Sequence, residues 1–181
     1  MMAVRVIGVV GPSGVGKDTV MEALAAADAR VRLVRRVITR AAGAGGENSV
    51  GATEAEFDAF VAQDAFALWW AAHGLLYGVP RDGLAVDDAD AVVLVNLSRS
   101  ILDKARAAFD DFAVLSLTAD IPTLAARLAA RGRESAKEIE GRLERAASEQ
   151  PQGADVIEIS NDGALEETVA RALAALQPVR V

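Results

Sequence analysis

Cysteine is absent from this 181-residue sequence, which excludes disulfides and thiolate metal sites. No apolar run approaches the roughly 18 residues that span a bilayer, so no membrane partner is expected. No signal peptide is expected either: the apolar stretch near the N-terminus is short and runs straight into a glycine-rich loop. A cytoplasmic location is expected. A surplus of positive charge is also missing, and the net charge of −7 argues against a nucleic-acid partner. There are no internal repeats and no long linkers. Residues 1–181 therefore read as one domain, large enough for its own core. The Asn-Lys-x-Asp pattern that reads guanine in GTPases is absent as well. What is abundant is apolar: hydrophobic residues make up 52%, which argues against disorder. Positive charge, though outnumbered, is clustered. Arg30, Arg32, Arg35, Arg36 and Arg40 form one group; Arg127, Arg131, Arg133, Arg142 and Arg145 form another. Such clusters in an acidic chain suit a local anionic ligand.

The most informative stretch is Gly11 to Asp18, GPSGVGKD. Val4 to Val10 before it is apolar and mostly β-branched, and Val20, Met21, Leu24 and Ala25 after it recur at helical spacing. Strand, glycine loop and helix are the context of a P-loop. Gly11, Gly14 and Gly16 let the backbone turn its N–H groups inward on phosphate oxygens, and the helix adds the positive end of its dipole. The expected ATP-binding set is Gly11, Pro12, Ser13, Gly14, Val15 and Gly16 with Lys17, Asp18 and Thr19. Lys17 carries a full charge to the β- and γ-phosphates. The eighth residue of such loops is usually Ser or Thr, whose hydroxyl holds Mg²⁺. Here it is Asp18, followed by Thr19. A carboxylate is a hard oxygen ligand, so Asp18 is the expected Mg²⁺ contact, with Thr19 as the alternative.

Along the chain, residues 4–10 read as a strand buried on both faces, 17–28 as the first helix and 31–38 as a second strand closed by Thr39-Arg40. Residues 41–51 hold four glycines and read as a loop. Thr53 and Glu56 fit a capping box, opening a helix with Phe57, Phe60 and Val61 on one face. Residues 66–71 have short-strand character, and 73–80 read as a tight hairpin and exit. Residues 40–82 interrupt the α/β alternation and read as a small inserted subdomain. Then come a strand at 91–95 ended by Asn96, a helix at 100–109, a strand at 112–117 and a helix from Asp120-Ile121-Pro122 to 131. A second capping box, Ser135 with Glu138, opens a helix to 149; a strand at 156–159 and a last helix carrying Leu165, Val169, Leu173 and Leu176 follow. This alternation predicts a parallel sheet with helices on both faces, and ligands at the carboxyl ends of its strands.

With the P-loop, Thr39-Arg40, Glu47, the turn His73-Gly74-x-x-Tyr77-Gly78 and the Arg131…Arg142 segment, the chain resembles the guanylate kinase superfamily over nearly its whole length. The resemblance implies an α/β fold: a P-loop NTPase three-layer α/β/α sandwich around a five-stranded parallel sheet. It further implies an acceptor-binding subdomain at about 40–82 and a lid at about 131–145, whose arginines close on the transferring phosphate. On the same resemblance Arg40 and Tyr77 hold the acceptor phosphate, and Asn161 of Asn161-Asp162 lies near the adenine. Arg127 either covers the adenine face or is exposed surface. Departures are as informative. Leu68 stands where guanylate kinases place a Glu that reads the guanine edge, Arg36 where they place a Ser, and Asn96 where they place an Asp. A second phosphate-binding Arg after Arg40 is missing, and Thr53 lies near the place of a lost Tyr. Losing a buried amide–carboxylate contact leaves guanine polar groups unpaired, and Leu cannot replace it. The segments GPSGVGKD, Val37-Ile38-Thr39-Arg40, Gly45-Gly46-Glu47-Asn48, Trp70-Ala71-Ala72-His73-Gly74 and Arg131-Gly132-Arg133-Glu134-Ser135 look like a narrower family. These are the ribose 1,5-bisphosphate phosphokinases, bacterial phosphonate-pathway enzymes that make phosphoribosyl diphosphate.

That resemblance implies ATP and Mg²⁺ as cofactors and ribose 1,5-bisphosphate as the small-molecule substrate. A guanylate kinase, another small-metabolite kinase and a non-catalytic binding module are the alternatives. Phosphoryl transfer needs positioning and charge neutralisation and no covalent nucleophile, which fits the absent Cys and single His. Lys17, Arg131 and Arg142 are the expected catalytic residues. The expected acceptor set is Arg36, Arg40, Glu47, His73, Tyr77 and Asn96. Arg36 is assigned to the 5-phosphate, because the pocket loses acidic groups at positions 68 and 96 and gains a guanidinium. His73 either binds the acceptor, orients Tyr77 or simply makes a turn; Glu47 either bonds an acceptor hydroxyl or ties the glycine loop. Trp69 and Trp70 read as packing residues. Oligomeric state is open, a homodimer included.

Overall fold

Arg5 to Val10 sets the architecture. Ile7 and Val9 point into one apolar cluster and Val6 and Val10 into another, all at most 1% exposed, so the run must be apolar on both faces. The computed structural model describes residues 4–40, 48–88, 90–132, 135–148 and 150–176. In chain order its elements are β1 (Arg5–Val10), α1 (Lys17–Ala27), β2 (Val31–Val34), β3 (Val37–Ile38), β4 (Val50–Gly51), α2 (Glu54–Ala62), β5 (Phe66–Ala72) and β6 (Leu75–Pro80). They continue with β7 (Val92–Asn96), α3 (Leu102–Ala108), β8 (Phe112–Thr118), α4 (Ile121–Arg131), α5 (Ala136–Ser148), β9 (Val156–Ser160) and α6 (Leu165–Leu176).

The expected five-stranded parallel sheet has the order β2-β7-β1-β8-β9. Leu24 of α1, Leu124 of α4 and Ala172 and Leu176 of α6 pack on one face with Ile7, Leu94 and Leu115. On the other face Leu102 and Ala105 of α3 join Leu68, Trp70, Tyr77 and Val79 from a second sheet. The order places β1 at the centre, so the loop that follows it emerges between neighbours on both sides.

The predicted second strand splits in two. Val34 makes the last pairing with β7 at Val95, and the chain then crosses at Arg35-Arg36 into the second sheet. There Val37 and Ile38 pair antiparallel with Gly78 and Tyr77, and parallel with Val50 and Gly51. Part of the predicted glycine loop is therefore strand β4. The second sheet has the order β4-β3-β6-β5. Its β5–β6 hairpin turns on His73 and Gly74, with φ of 52° and 74°. Two consecutive left-handed residues make the turn type whose twist matches the flanking strands.

Helix starts follow the sequence signals. Thr53 accepts from the Glu56 N–H while the Glu56 carboxylate accepts from the Thr53 N–H, which caps α2. Asp120 accepts from the Thr123 N–H at the start of α4. Phe57 of α2 is fully buried against Phe66, ring centroids 4.7 Å apart, and so fastens the helix to the second sheet. Among the described residues no helix is long and apolar enough to cross a membrane.

Candidate active site

The loop between β1 and α1 is built to wrap an anion. Gly14 and Gly16 have φ of 88° and 92°, and a Cβ on Gly16 would lie 3.1 Å from the Asn161 side-chain nitrogen. Left-handed backbone and close approach both require glycine there. The loop leads into α1 with the helix N-terminus facing the same hollow, where an anion is favoured. Lys17 bends back over the loop, its Nζ donating to the Gly11 carbonyl at 3.0 Å. An incoming phosphate group would compete for that ammonium.

A buried network braces the loop from outside. The Asn161 Nδ2 donates to the Val15 carbonyl at 2.8 Å, and Thr168 Oγ1 donates to Asn161 Oδ1 at 2.8 Å. Arg127 donates to the Val15 carbonyl at 3.3 Å and to the Asn161 carbonyl at 2.8 Å. Asn161 is 7% exposed and Thr168 fully buried. Both ends of the Asn161 amide are thus used on protein. Asn161 and Arg127 therefore brace the loop, a role the sequence did not indicate. Thr168 was not anticipated. Its one signal is a hydroxyl residue on the apolar stripe of the last helix. Next to Asn161, Asp162 accepts from the Ser160 hydroxyl and the Asp120 N–H, which hold its carboxyl below the ordinary aspartate value. That contact ties the β9–α6 connection to the cap of α4.

The lid arginines separate. Arg142 on α5 donates to the Ser13 hydroxyl of the loop. Arg131, at the end of α4, is exposed and is not brought to the loop. Helix α4 ends on the left-handed Gly132, which turns the chain away beyond Arg131. Arg133 and Glu134 lie outside the described residues. Ser135 and Glu138 cap α5 as expected, and the Ser135 N–H and hydroxyl lower the Glu138 carboxyl.

A crevice opens between α1 and the chain's crossing from one sheet to the other. Asp18, Glu22, Arg35, Arg36, Asn48 and Asn96 supply its polar lining. Arg36 is only 7% exposed, and its guanidinium carbon lies 5.2 Å from the Tyr77 ring centroid and 5.9 Å from that of Trp70. Leu68 is buried in the same core as those two rings. Asn96, at the end of β7, donates its Nδ2 to Asp18 Oδ1 at 3.3 Å. This corrects the sequence-based charge count: the carboxylate missing at position 96 is replaced by one from α1, because the helix brings Asp18 to the strand end. Arg40 is half-buried, with Nη2 at 3.5 Å from the Ser49 hydroxyl. His73 is exposed at the hairpin tip, where its left-handed backbone makes the turn, and it is not among the residues lining the crevice. Glu47 lies outside the described residues. A second hollow of about 330 Å³ opens on the other side of Gly11-Pro12, by Thr118 and Asp120. Both hollows sit at carboxyl ends of sheet strands, as the topology requires.

Among the described residues no three acidic or imidazole groups gather into a metal site of their own. Asp18 supplies one hard oxygen beyond the one bonded to Asn96. The donors here fit a divalent ion held jointly with phosphate oxygens.

A phosphate-wrapping loop that looks across its helix onto a crevice of mixed charge, Asp18 and Glu22 with Arg35 and Arg36, defines a class, the P-loop kinases with a guanylate kinase-like fold. Solved structures bear out the fold. Guanylate kinase from Anaplasma phagocytophilum matches with a TM-score of 0.58 at 19% identity, covering 97% of this chain and 86% of that one. A gluconokinase from Sinorhizobium meliloti 1021 matches with a TM-score of 0.56 at 22% identity, covering 97% and 92%. Their names differ in the acceptor, so the fold alone does not choose one. No family model matches the chain. At the level of sequence, the ribose 1,5-bisphosphate phosphokinase PhnN of Ruegeria sp. (strain TM1040) is 54% identical over 176 residues, 97% of this chain and 93% of that one. The chain belongs to the ribose 1,5-bisphosphate phosphokinase family and is a phosphotransferase.

Proposed function

We propose that this chain transfers the γ-phosphoryl group of ATP to the 1-phosphate of α-D-ribose 1,5-bisphosphate, releasing ADP and 5-phospho-α-D-ribose 1-diphosphate. An oxygen of the 1-phosphate attacks the γ-phosphorus, and the bond from that phosphorus to the β–γ bridging oxygen breaks. The cytoplasm, where ATP is held, is the proposed location. The observation that carries the acceptor is Arg36, a guanidinium 7% exposed in the crevice wall. A base edge would find no carboxylate at Leu68, whereas a phosphate would meet a largely desolvated cation.

In this reading the loop N–H groups and the start of α1 hold the ATP phosphates, and Lys17 neutralises charge as it builds on the transferring group. Arg142 and, from the end of α4, Arg131 close over that group. Asp18 would hold Mg²⁺ together with the phosphates, where the ion supplies further neutralisation. Arg40 and Tyr77 take the 1-phosphate, Arg36 takes the 5-phosphate, and Asn96 orients Asp18.

A coupled ADP-release assay with ribose 1,5-bisphosphate, GMP, dGMP, ribose 5-phosphate and gluconate tests the acceptor. Turnover is expected with the first alone; GMP turning over as well or better would overturn the reading. Arg36→Ser should erase most of the preference for ribose 1,5-bisphosphate over ribose 1-phosphate. A charge-assisted hydrogen bond of about 1.5–3 kcal/mol makes that preference roughly tenfold or more. Equal losses on both substrates would mean that the 5-phosphate is held elsewhere.

A further inference from the structure

Trp70 and Trp69 are adjacent in sequence but opposite in fate: Trp70 is 3% exposed and Trp69 47%. Trp70 faces Tyr77 across the β5–β6 pair, their rings stacked with centroids 5.3 Å apart and planes 11° from parallel. Together the rings make one aromatic wall beside the Arg36 guanidinium. The indole N–H donates to the Ser98 hydroxyl at 3.0 Å. Ser98 lies two residues beyond Asn96, so one short segment at the end of β7 fixes both the crevice amide and the tilt of the indole.

A guanidinium against aromatic faces keeps its N–H fork directed edgewise, the geometry that matches two oxygens of a phosphate. Arginine otherwise has many rotamers, and an ordered fork loses less freedom when it binds. We propose that Trp70, fixed by Ser98, is a positioning residue that sets the orientation in which the Arg36 guanidinium meets the 5-phosphate of the sugar acceptor. This rests on the reading that Arg36 binds that phosphate.

The test uses the full chain carrying Trp70→Leu, Trp70→Phe or Ser98→Ala. Trp70→Leu should raise KM for ribose 1,5-bisphosphate on the order of tenfold, as expected for a desolvated cation–π contact. Its KM for ATP should stay near wild type, and its KM for ribose 1-phosphate, which Tyr77 meets behind the same stack, should rise by a smaller factor than that for the bisphosphate. Trp70→Phe, which keeps an aromatic face, should recover most of that loss, and Ser98→Ala should give a smaller rise confined to the bisphosphate. Should Trp70→Leu fail to fold, Trp70→Phe and Ser98→Ala still decide. Neither showing a bisphosphate-selective rise in KM would overturn the proposal.

A spectroscopic arm is independent of turnover. The sequence holds two tryptophans, so Trp69→Phe leaves Trp70 as the sole indole. Adding ribose 1,5-bisphosphate should change its emission, and the further change Arg36→Ser should abolish that response. An unresponsive Trp70 in a chain that still turns the bisphosphate over would refute the contact. If Arg36→Ser keeps the wild-type preference, the underlying 5-phosphate reading has failed and this inference falls with it. If Arg36→Ser loses the preference while Trp70→Leu retains it, only the positioning role is wrong.

Discussion

Replacing Asn161 by Asp exchanges one N–H group for an oxygen at the centre of the loop brace. In the wild type the Asn161 amide donates to Val15 O at 2.8 Å and accepts from Thr168 at 2.8 Å, with the residue 7% exposed. An ionised carboxylate there would set an anionic oxygen against the Val15 carbonyl. A protonated carboxyl reproduces both original bonds, donating to Val15 and accepting from Thr168. The cheapest native state of the variant therefore carries a proton, and the cost is that of keeping it. At 1.36 kcal/mol per pKa unit from an unfolded value of about 3.9, that cost is at most about 4 kcal/mol near pH 7 and about 1.5 kcal/mol near pH 5. Arg127, bonded to the Asn161 backbone, lowers the figure to the extent that it favours the ionised form. The sign follows from proton binding. The folded variant has a raised pKa and holds more protons than the unfolded chain, so its stability is greatest at low pH and falls as pH rises. At roughly 2–4 °C per kcal/mol for a domain of this size, the deficit against wild type should be about 8–16 °C near pH 7, shrinking to about 3–6 °C near pH 5. Paired thermal scans across that range, with ADP titrations alongside, measure it. A deficit that does not change with pH, or wild-type stability and ADP affinity at pH 8, would refute the brace.

Three further outcomes follow from the same geometry. Lys17→Ala should lower kcat by orders of magnitude while the fold survives, since the Lys17 ammonium bonds to the Gly11 carbonyl within the loop and is no part of the apolar core; near-normal turnover in the folded variant would remove Lys17 from the reaction. Arg142→Ala and Arg131→Ala should each reduce kcat more than ATP affinity, and a loss of ATP binding alone would exclude a role on the transferring group. The Arg106 side chain, bonded to Asp155 at 2.8 Å, holds that carboxyl below its ordinary value, so the pair stabilises the fold above the unfolded aspartate pKa and loses this contribution as pH falls through the folded value. Asp155→Asn should therefore be less stable than wild type at neutral pH, with the gap closing below about pH 4 in urea titrations; a gap unchanged by acid would deny the linkage.

The parts legible in the sequence are those fixed by local rules. The main sheet could be read because strands buried on both faces must be apolar throughout, and the caps at Thr53 and Asp120 because their partners lie three residues away. The parts that were not legible depend on distant partners. Residues 31–38 read as one strand because both halves have strand character, and nothing local marks Arg35-Arg36 as the crossing between sheets. Asp18 and Asn96 are 78 residues apart, so the two departures from the family pattern read as unrelated. Asn161 could be located but not its bonds to Val15 and Thr168, whose positions beside it are set by tertiary packing.

The two tryptophans carry the same lesson to the specificity of the crevice. Strand alternation requires that one of Trp69 and Trp70 point inward, but periodicity alone does not say which. Leu68 decides it. Leu68 and Trp70 share a face of β5, and both are buried in the core that holds Tyr77. The position where a guanine-reading acid would stand and the position that walls in Arg36 are therefore neighbours on one surface. An acid at 68 would bury a carboxylate in the core that holds both rings, a desolvation cost that Leu avoids. Leu at 68 and Trp at 70 thus form one apolar and aromatic surface, and Arg36 lies against its aromatic part.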